Sequence, residues 1–180
     1  MPKARYVRPT LDKVREAIFD ILNRSVAGRR VLDLYAGSGS LGIEAISRGA
    51  KIAIFIDNSP TCIKTIRENL ENLGLKEKGK AIRVDAGKAL RYLEQRRERF
   101  DLVFIDPPYG EARKSLRQVV SFDILLPYCV VVVEHYKKEV LPKKVVSLGL
   151  RKEARYGDTC LAFYQMKPRL TERSARKSDS

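Results

Sequence analysis

Apolar residues along this chain gather in short runs that stop at acids, and between those runs they recur every three or four positions. Leu11, Val14, Ile18, Ile21 and Leu22 share one helical face, which predicts an amphipathic helix capped by Thr10, with Arg15 and Asp20 off the apolar stripe and Ala27-Gly28 ending it. A buried strand is expected over Arg30 to Tyr35, then a short helix from Leu41 to Arg48 closed by Gly49, then a strand from Lys51 to Ile56 that stops at Asp57. Pro60 suits the first turn of a helix whose Ile63, Ile66, Leu70 and Leu73 repeat until Gly74. The strand Ala81 to Val84 ends at Asp85, Leu90 and Leu93 mark the next helix, and Leu102 to Ile105 is a fourth strand ending at Asp106. No element is assigned between Tyr109 and Val130. Val130 to Val133 is a fifth strand ending at Glu134, after which Val145 to Tyr156 and Thr159 to Gln165, joined at Gly157-Asp158, read as an antiparallel hairpin.

Strands that close on carboxylates, with helices between them, describe a doubly wound parallel sheet whose C-terminal edge collects the chemistry. Adding the hairpin gives a Rossmann-like α/β fold with a mostly parallel seven-stranded sheet. The expected organisation is a basic N-terminal arm over residues 1–9, one domain over 10–166, and a polar, basic, disordered tail over 167–180.

The run Asp33-Leu34-Tyr35-Ala36-Gly37-Ser38-Gly39-Ser40-Leu41-Gly42 joins the first strand to the second helix. Its glycine spacing fits the G-x-G-x-x-G fingerprint: Gly37 and Gly39 allow a tight turn close to a ligand, and Gly42 lets the helix lie near the strand. Asp57 follows about 20 residues later, as that fingerprint expects of a ribose-binding acid. A nucleotide-like ligand is therefore expected here, and on glycines alone a nicotinamide cofactor fits as well as any other.

Charge narrows the partners. With 36 Lys+Arg against 22 Asp+Glu the chain carries +14, although its 44% apolar content is that of an ordinary globular protein. Such an excess favours a polyanion, nucleic acid first, through counterion release. Cys62, Cys129 and Cys160 are odd in number and far apart, so neither a disulfide framework nor a metal site is indicated. No run has the length of a membrane span, and a cytoplasmic, monomeric protein is expected.

Asp106-Pro107-Pro108-Tyr109 separates the nucleotide readings. Two prolines after a buried strand make a rigid turn poor in N–H groups, whose carbonyls and the Asp106 carboxylate can accept from an amine, while Tyr109 offers a ring on which a base can stack. An exocyclic base amine is a poor nucleophile because its lone pair is delocalised. Acceptors on its N–H bonds favour a pyramidal nitrogen and so favour methyl transfer. Nothing in the chain supplies the hydride path of a nicotinamide enzyme.

These motifs together resemble the methyltransferases that use S-adenosylmethionine to methylate N2 of a guanine in bacterial 16S ribosomal RNA. The resemblance runs from about Arg8 to Gln165 and rests on Arg8-Pro9-Thr10 followed by Val14-Arg15-Glu16-Ala17-Ile18-Phe19, the glycine run, Asp106-Pro107-Pro108-Tyr109, and Tyr156-Gly157-Asp158-Thr159. It implies a class I methyltransferase fold. It also implies that Asp33 and the loop Ala36, Gly37, Ser38 and Gly39 hold the methionine part of S-adenosylmethionine, that Asp57 with Asn58 meets the ribose, and that Asp85 and Ala86 meet the adenine. Asp106, which would also touch the cofactor, and the Pro107 carbonyl would receive the guanine amine, with Tyr109 stacked on the base, and Arg8, Thr10, Arg15 and Pro108 would line the substrate side. The implied partner is 16S ribosomal RNA or the small ribosomal subunit. Family members carry a longer basic segment ahead of Arg-Pro-Thr, where seven residues precede Arg8 here, so the grip on RNA is expected to differ, with the basic tail compensating.

The Asp-Pro-Pro-Tyr motif is shared with DNA adenine methyltransferases, so an N6-adenine enzyme is one alternative and a weakly active RNA-binding assembly factor is another. His135 reads as structural, since methyl transfer to an amine needs no strong base. The clusters Arg96-Arg97-Arg99, Lys137-Lys138 and Lys143-Lys144 together read as an RNA-facing rim.

Overall fold

The computed structural model describes residues 9–167. In chain order the elements are α1 (Pro9–Leu22), β1 (Arg30–Leu34), α2 (Ser40–Ser47), β2 (Ile52–Asp57), α3 (Pro60–Asn72), β3 (Gly79–Arg83), α4 (Ala86–Gln95), β4 (Phe100–Ile105), α5 (Ala112–Val120), β5 (Leu125–Tyr136), β6 (Lys144–Val145), β7 (Leu148–Tyr156) and β8 (Thr159–Met166). All eight strands form one sheet in the order β3-β2-β1-β4-β5-β8-β7-β6. The pairs from β3 to β5 are parallel, and β8, β7 and β6 add to β5 by antiparallel pairing.

Each face of the sheet is covered, which explains why the central strands are apolar on both sides. On one face Val14, Ile18 and Phe19 of α1, Ala45 and Ile46 of α2, and Ile63, Ile66 and Leu70 of α3 pack on Val31, Ala53, Phe55 and Phe104. On the other, Ala89, Leu90 and Leu93 of α4 and Leu116 and Val119 of α5 pack on Leu32, Leu34, Val103, Ile105, Val131 and Val133. Gly42 shows how close α2 comes to the sheet. A Cβ at that position would stand 2.3 Å from the Phe55 ring on β2, so only glycine fits there.

Local signals place most boundaries. Ser59 caps α3 by accepting from the Cys62 N–H, with Pro60 in the first turn, and Asp85 caps α4 by accepting from the Gly87 and Lys88 N–H groups. Helix α1 already includes Pro9, one residue ahead of the expected cap position Thr10. The hairpin of β7 and β8 turns at Gly157, whose φ is +65°. Its tip is fastened to the end of β5 by the Lys137 N–H on the Asp158 carbonyl (2.9 Å) and by a Lys137–Asp158 ion pair (2.6 Å).

Two features depart from the expectation. The sheet has eight strands instead of seven, because the run from Val145 to Tyr156 folds back at Val146 (φ +53°) to make β6 and β7. In the stretch left without an element, α5 buries Ala112, Ser115, Leu116 and Val119, a helical stripe broken in its apolar character by Ser115. That hydroxyl pairs with the Tyr35 hydroxyl at 2.9 Å, which ties α5 to the end of β1.

Arg8 and residues 168–180 lie outside the described residues, as does the side chain of Thr10. Among the described residues no helix is long and apolar enough to cross a membrane, and no cluster of His, Cys, Asp and Glu is arranged to hold a metal ion.

Candidate active site

The C-terminal ends of β2, β1, β4 and β5 stand side by side, and each brings an acid. Asp57 ends β2, Asp33 lies in β1, Asp106 follows β4 and Glu134 lies near the end of β5. The Leu34↔Ile105 and Ile105↔Val133 pairings carry Asp106 between Tyr35 on one side and Glu134 on the other. The strand order reverses between β1 and β4, the crevice in which open α/β sheets bind their ligands.

Two cavities open on this edge. One of about 820 Å³ is lined by Asp57, Asn58, Asp85, Ala86, Pro107, Pro108, Tyr109 and His135, among others. The second, of about 1000 Å³, runs beneath α1 and is lined by Arg15, Asp33, Ala36, Gly37 and Ser38, among others. Tyr35, Asp106 and Glu134 line both, so the two cavities meet at those three side chains. Either cavity alone has the size of a small-molecule site.

The glycine loop is self-contained. The N–H groups of Ala36, Gly37 and Gly39 donate to the Ile56 carbonyl (2.9 Å), Asp57 Oδ2 (2.9 Å) and the Ala36 carbonyl (2.7 Å). The other Asp57 oxygen accepts from the Ser59 N–H at 2.8 Å, so Asp57 holds the loop's shape from below. Asp33 Oδ2 accepts from the Gly42 N–H at 2.9 Å, in the first turn of α2. A dinucleotide fold presents that turn to a pyrophosphate. Here a buried aspartate occupies it, which disfavours a phosphate and suits a cationic ligand.

The electrostatics carry the same sign. Asp33 is 1% exposed, and its carboxyl is pushed up to about 7, chiefly by burial, with Asp106 and Asp57 adding to the rise against the Gly42 hydrogen bond. Burial pushes Asp106 upward, and burial and then the Asp106 charge push Glu134 upward. Neither Asp106 nor Glu134 is in an ion pair among the described residues. Acids grouped in this way without an ion-pair partner among the described residues favour a positive ligand.

The sequence-predicted residues distribute unevenly over this geometry. Asp57, Asn58, Asp85, Ala86, Pro107, Pro108 and Tyr109 meet in the first cavity, Arg15, Asp33, Ala36, Gly37 and Ser38 in the second, and Asp106 in both. Gly39 is buried and lines neither. With φ +77° it starts α2 against Ile66 and Phe55, so its place is structural. Arg15 pairs with Asp12 at 2.8 Å on the wall of the second cavity. Tyr109 is 88% exposed and rests edge to face on Tyr136.

Of the basic clusters, Lys137-Lys138 lies next to this edge. Arg96, Arg97 and Arg99 lie between the end of α4 and the start of β4, at the opposite edge of the sheet, where Arg99 pairs with Asp123, so they form no rim of this site. Glu134, Tyr35 and Tyr136 join the predicted residues at this edge, and of the three only Glu134 carries a sequence signal, an acid that closes a strand. His135 is 8% exposed, and its Nδ1 lies 3.2 Å from the Tyr136 carbonyl.

Comparison with known proteins gives a consistent picture. The family model described as conserved hypothetical protein 95 matches residues 1–165. The chain is 39% identical over 160 residues to the Bacillus subtilis protein named "Putative rRNA methyltransferase YlbH", covering 88% of this chain and 87% of that one. It is 30% identical over 167 residues to ribosomal RNA small subunit methyltransferase D of Escherichia coli strain K12, covering 92% and 82%. A solved structure of a conserved hypothetical protein from Streptococcus pyogenes superposes with a TM-score of 0.79 at 34% identity, covering 85% of this chain and 95% of that one.

Proposed function

Because the chain belongs to the conserved hypothetical protein 95 family, whose model spans residues 1–165, we propose that it methylates ribosomal RNA of the small subunit with S-adenosylmethionine, at the N2 amine of a guanine. The observation that carries this reading is the position of Asp106, in the wall of both cavities and next to the Pro107-Pro108-Tyr109 turn. One carboxylate thereby stands where the cavity of Asp57, Asn58, Asp85 and Ala86 meets the cavity of Asp33, Ala36, Gly37 and Ser38, beside the turn that carries Tyr109.

The residues present fit that cofactor. Its sulfonium and ammonium are cations, and the acids Asp33 and Asp57 stand at the edge where the cavities open. Asp57 and Asn58 would meet the ribose, Asp85 and Ala86 the adenine, and Asp33 with Ala36, Gly37 and Ser38 the methionine part. S-adenosylmethionine, when bound, supplies a methyl group activated by a positive sulfur.

What the chain itself does is position and polarise. Asp106 and the Pro107 carbonyl accept the N–H bonds of the amine, which draws its lone pair out of conjugation and aims it. Tyr109 stacks on the base, and Arg15 faces the substrate side from α1. The rate gain expected from such a site comes mainly from orientation and charge placement. The target base must leave its stack to reach Asp106, which suits a loop nucleotide. The partner is then 16S ribosomal RNA, free or in the small subunit, in the cytoplasm.

The test is incubation of the purified protein with labelled S-adenosylmethionine and either 16S RNA, small subunits or duplex DNA, followed by identification of the modified nucleoside by mass. N2-methylguanosine in the RNA is the expected product. N6-methyladenine in DNA, or cofactor binding with no product on any of the three, contradicts the reading.

A further inference from the structure

Asp106 alone explains how an amine is held but not why guanine would be chosen over adenine. Both bases carry an exocyclic amine, and they differ at the neighbouring ring nitrogen: guanine N1 bears a hydrogen and donates, whereas adenine N1 is a bare acceptor. A site that tells them apart needs an acceptor beside the one that takes the amine.

Glu134 stands in that place. The Ile105↔Val133 pairing of β4 and β5 puts Glu134 directly across from Asp106, and the two side chains line both cavities where these meet. Neither carboxylate is in an ion pair among the described residues. Glu134 is half-buried beside the more exposed Asp106, and like charges placed side by side favour a ligand that brings donors to both.

We propose that Glu134 determines base choice by accepting the ring N1–H of the target guanine while Asp106 accepts its N2 amine. The inference rests on the guanine-N2 reading above. A guanine edge satisfies both carboxylates with adjacent donors. An adenine placed with its amine on Asp106 would set the N1 lone pair against the Glu134 carboxylate, a repulsion that rejects the wrong base. Burial and the Asp106 charge push the Glu134 carboxyl up to about 7, so it is the ionised form, favoured above that pH, that rejects a bare N1.

The test uses 2-aminopurine, which keeps the guanine amine but lacks the N1 hydrogen. 16S RNA is ligated around a synthetic segment with guanine or 2-aminopurine at the methylated nucleotide, free or reassembled into small subunits, whichever form the protein accepts. Unaltered protein is expected to prefer guanine by ~10- to 100-fold in kcat/KM, the worth of a hydrogen bond to a charged group. Glu134→Gln, whose amide can turn its NH2 toward a bare N1, is expected to bring that ratio to about one or below. Glu134→Asp keeps the acceptor and should keep the preference at reduced rate. Affinity for S-adenosylmethionine, measured by calorimetry on the same samples, should stay within about threefold.

An unchanged guanine preference in Glu134→Gln overturns the proposal, and so does a loss of rate that follows loss of cofactor affinity, which would assign Glu134 to the sulfonium. Failure of the unaltered protein to methylate guanine RNA while it methylates adenine overturns the guanine reading itself. The two failures are thus distinguishable.

Discussion

Tyr109 and Tyr136 meet edge to face, with ring centroids 5.7 Å apart and planes at 82°. The contact joins the Asp-Pro-Pro-Tyr turn to the end of β5, and it leaves Tyr109 88% exposed at the mouth of the first cavity. Most of the ring is thereby free to stack on a base. Truncating Tyr109 to Ala should therefore cost about 1–3 kcal/mol of RNA transition-state binding, or ~5- to 150-fold in kcat/KM, with cofactor affinity unchanged. Tyr136→Leu, which removes the support and keeps the ring, should cost less. RNA kinetics unaffected by Tyr109→Ala would remove this residue from the substrate pocket.

The approach of α2 to β2 gives a stability prediction. Gly42→Ala places a methyl group inside the Phe55 ring position, and the resulting overpacking should cost about 1–3 kcal/mol in denaturant unfolding. Phe55→Leu alone should destabilise by loss of packing, yet the double variant Gly42→Ala, Phe55→Leu should be less unstable than the sum of the two. Strict additivity would show that the steric reading of Gly42 is wrong.

The sequence made the parallel half of the fold legible because each of its strands is an apolar run punctuated by an acid, and the same punctuation pointed to the ligand edge. What it hid depended on partners distant along the chain. Helix α5 escaped notice because Ser115 occupies a core position, and that choice makes sense only once the Tyr35 hydroxyl is seen to meet it. Glu134 ends a strand as the other acids do, but its membership of the site follows from β5 lying beside β4, a matter of strand order. The distance from Gly37 to Asp57 pointed to a ribose-binding acid, and the fold places Asp57 beside the glycine loop. That its carboxylate spends both oxygens on the Gly37 and Ser59 N–H groups was not readable from spacing.

The raised Asp33 carboxyl predicts how stability depends on pH. Its ordinary value is 3.8, and in the fold it is pushed up to about 7. The folded state therefore holds a proton that the unfolded state has released between about pH 4 and 7, so the fold is favoured at the acidic side of this window and loses stability as pH rises through it. Cofactor-free protein should melt at a higher temperature at pH 5.5 than at pH 8, by ~2–4 °C for each kcal/mol involved. Asp33→Asn keeps an acceptor for the Gly42 N–H and removes the titration, so it should flatten this slope. An equally steep slope in Asp33→Asn would place the titrating group elsewhere.

Whether Asp106 acts on the amine, as proposed, is decided by measuring methyl transfer and cofactor affinity side by side for Asp106→Asn. The amide preserves shape but offers a weaker acceptor and a donor in place of the carboxylate. The expected result is a fall in single-turnover methyl transfer to RNA of at least ~100-fold, with the dissociation constant for S-adenosylmethionine changed by less than about threefold, as expected when an electrostatic contact to the reacting group is lost. Equal losses in both quantities, or full activity in the variant, would contradict it.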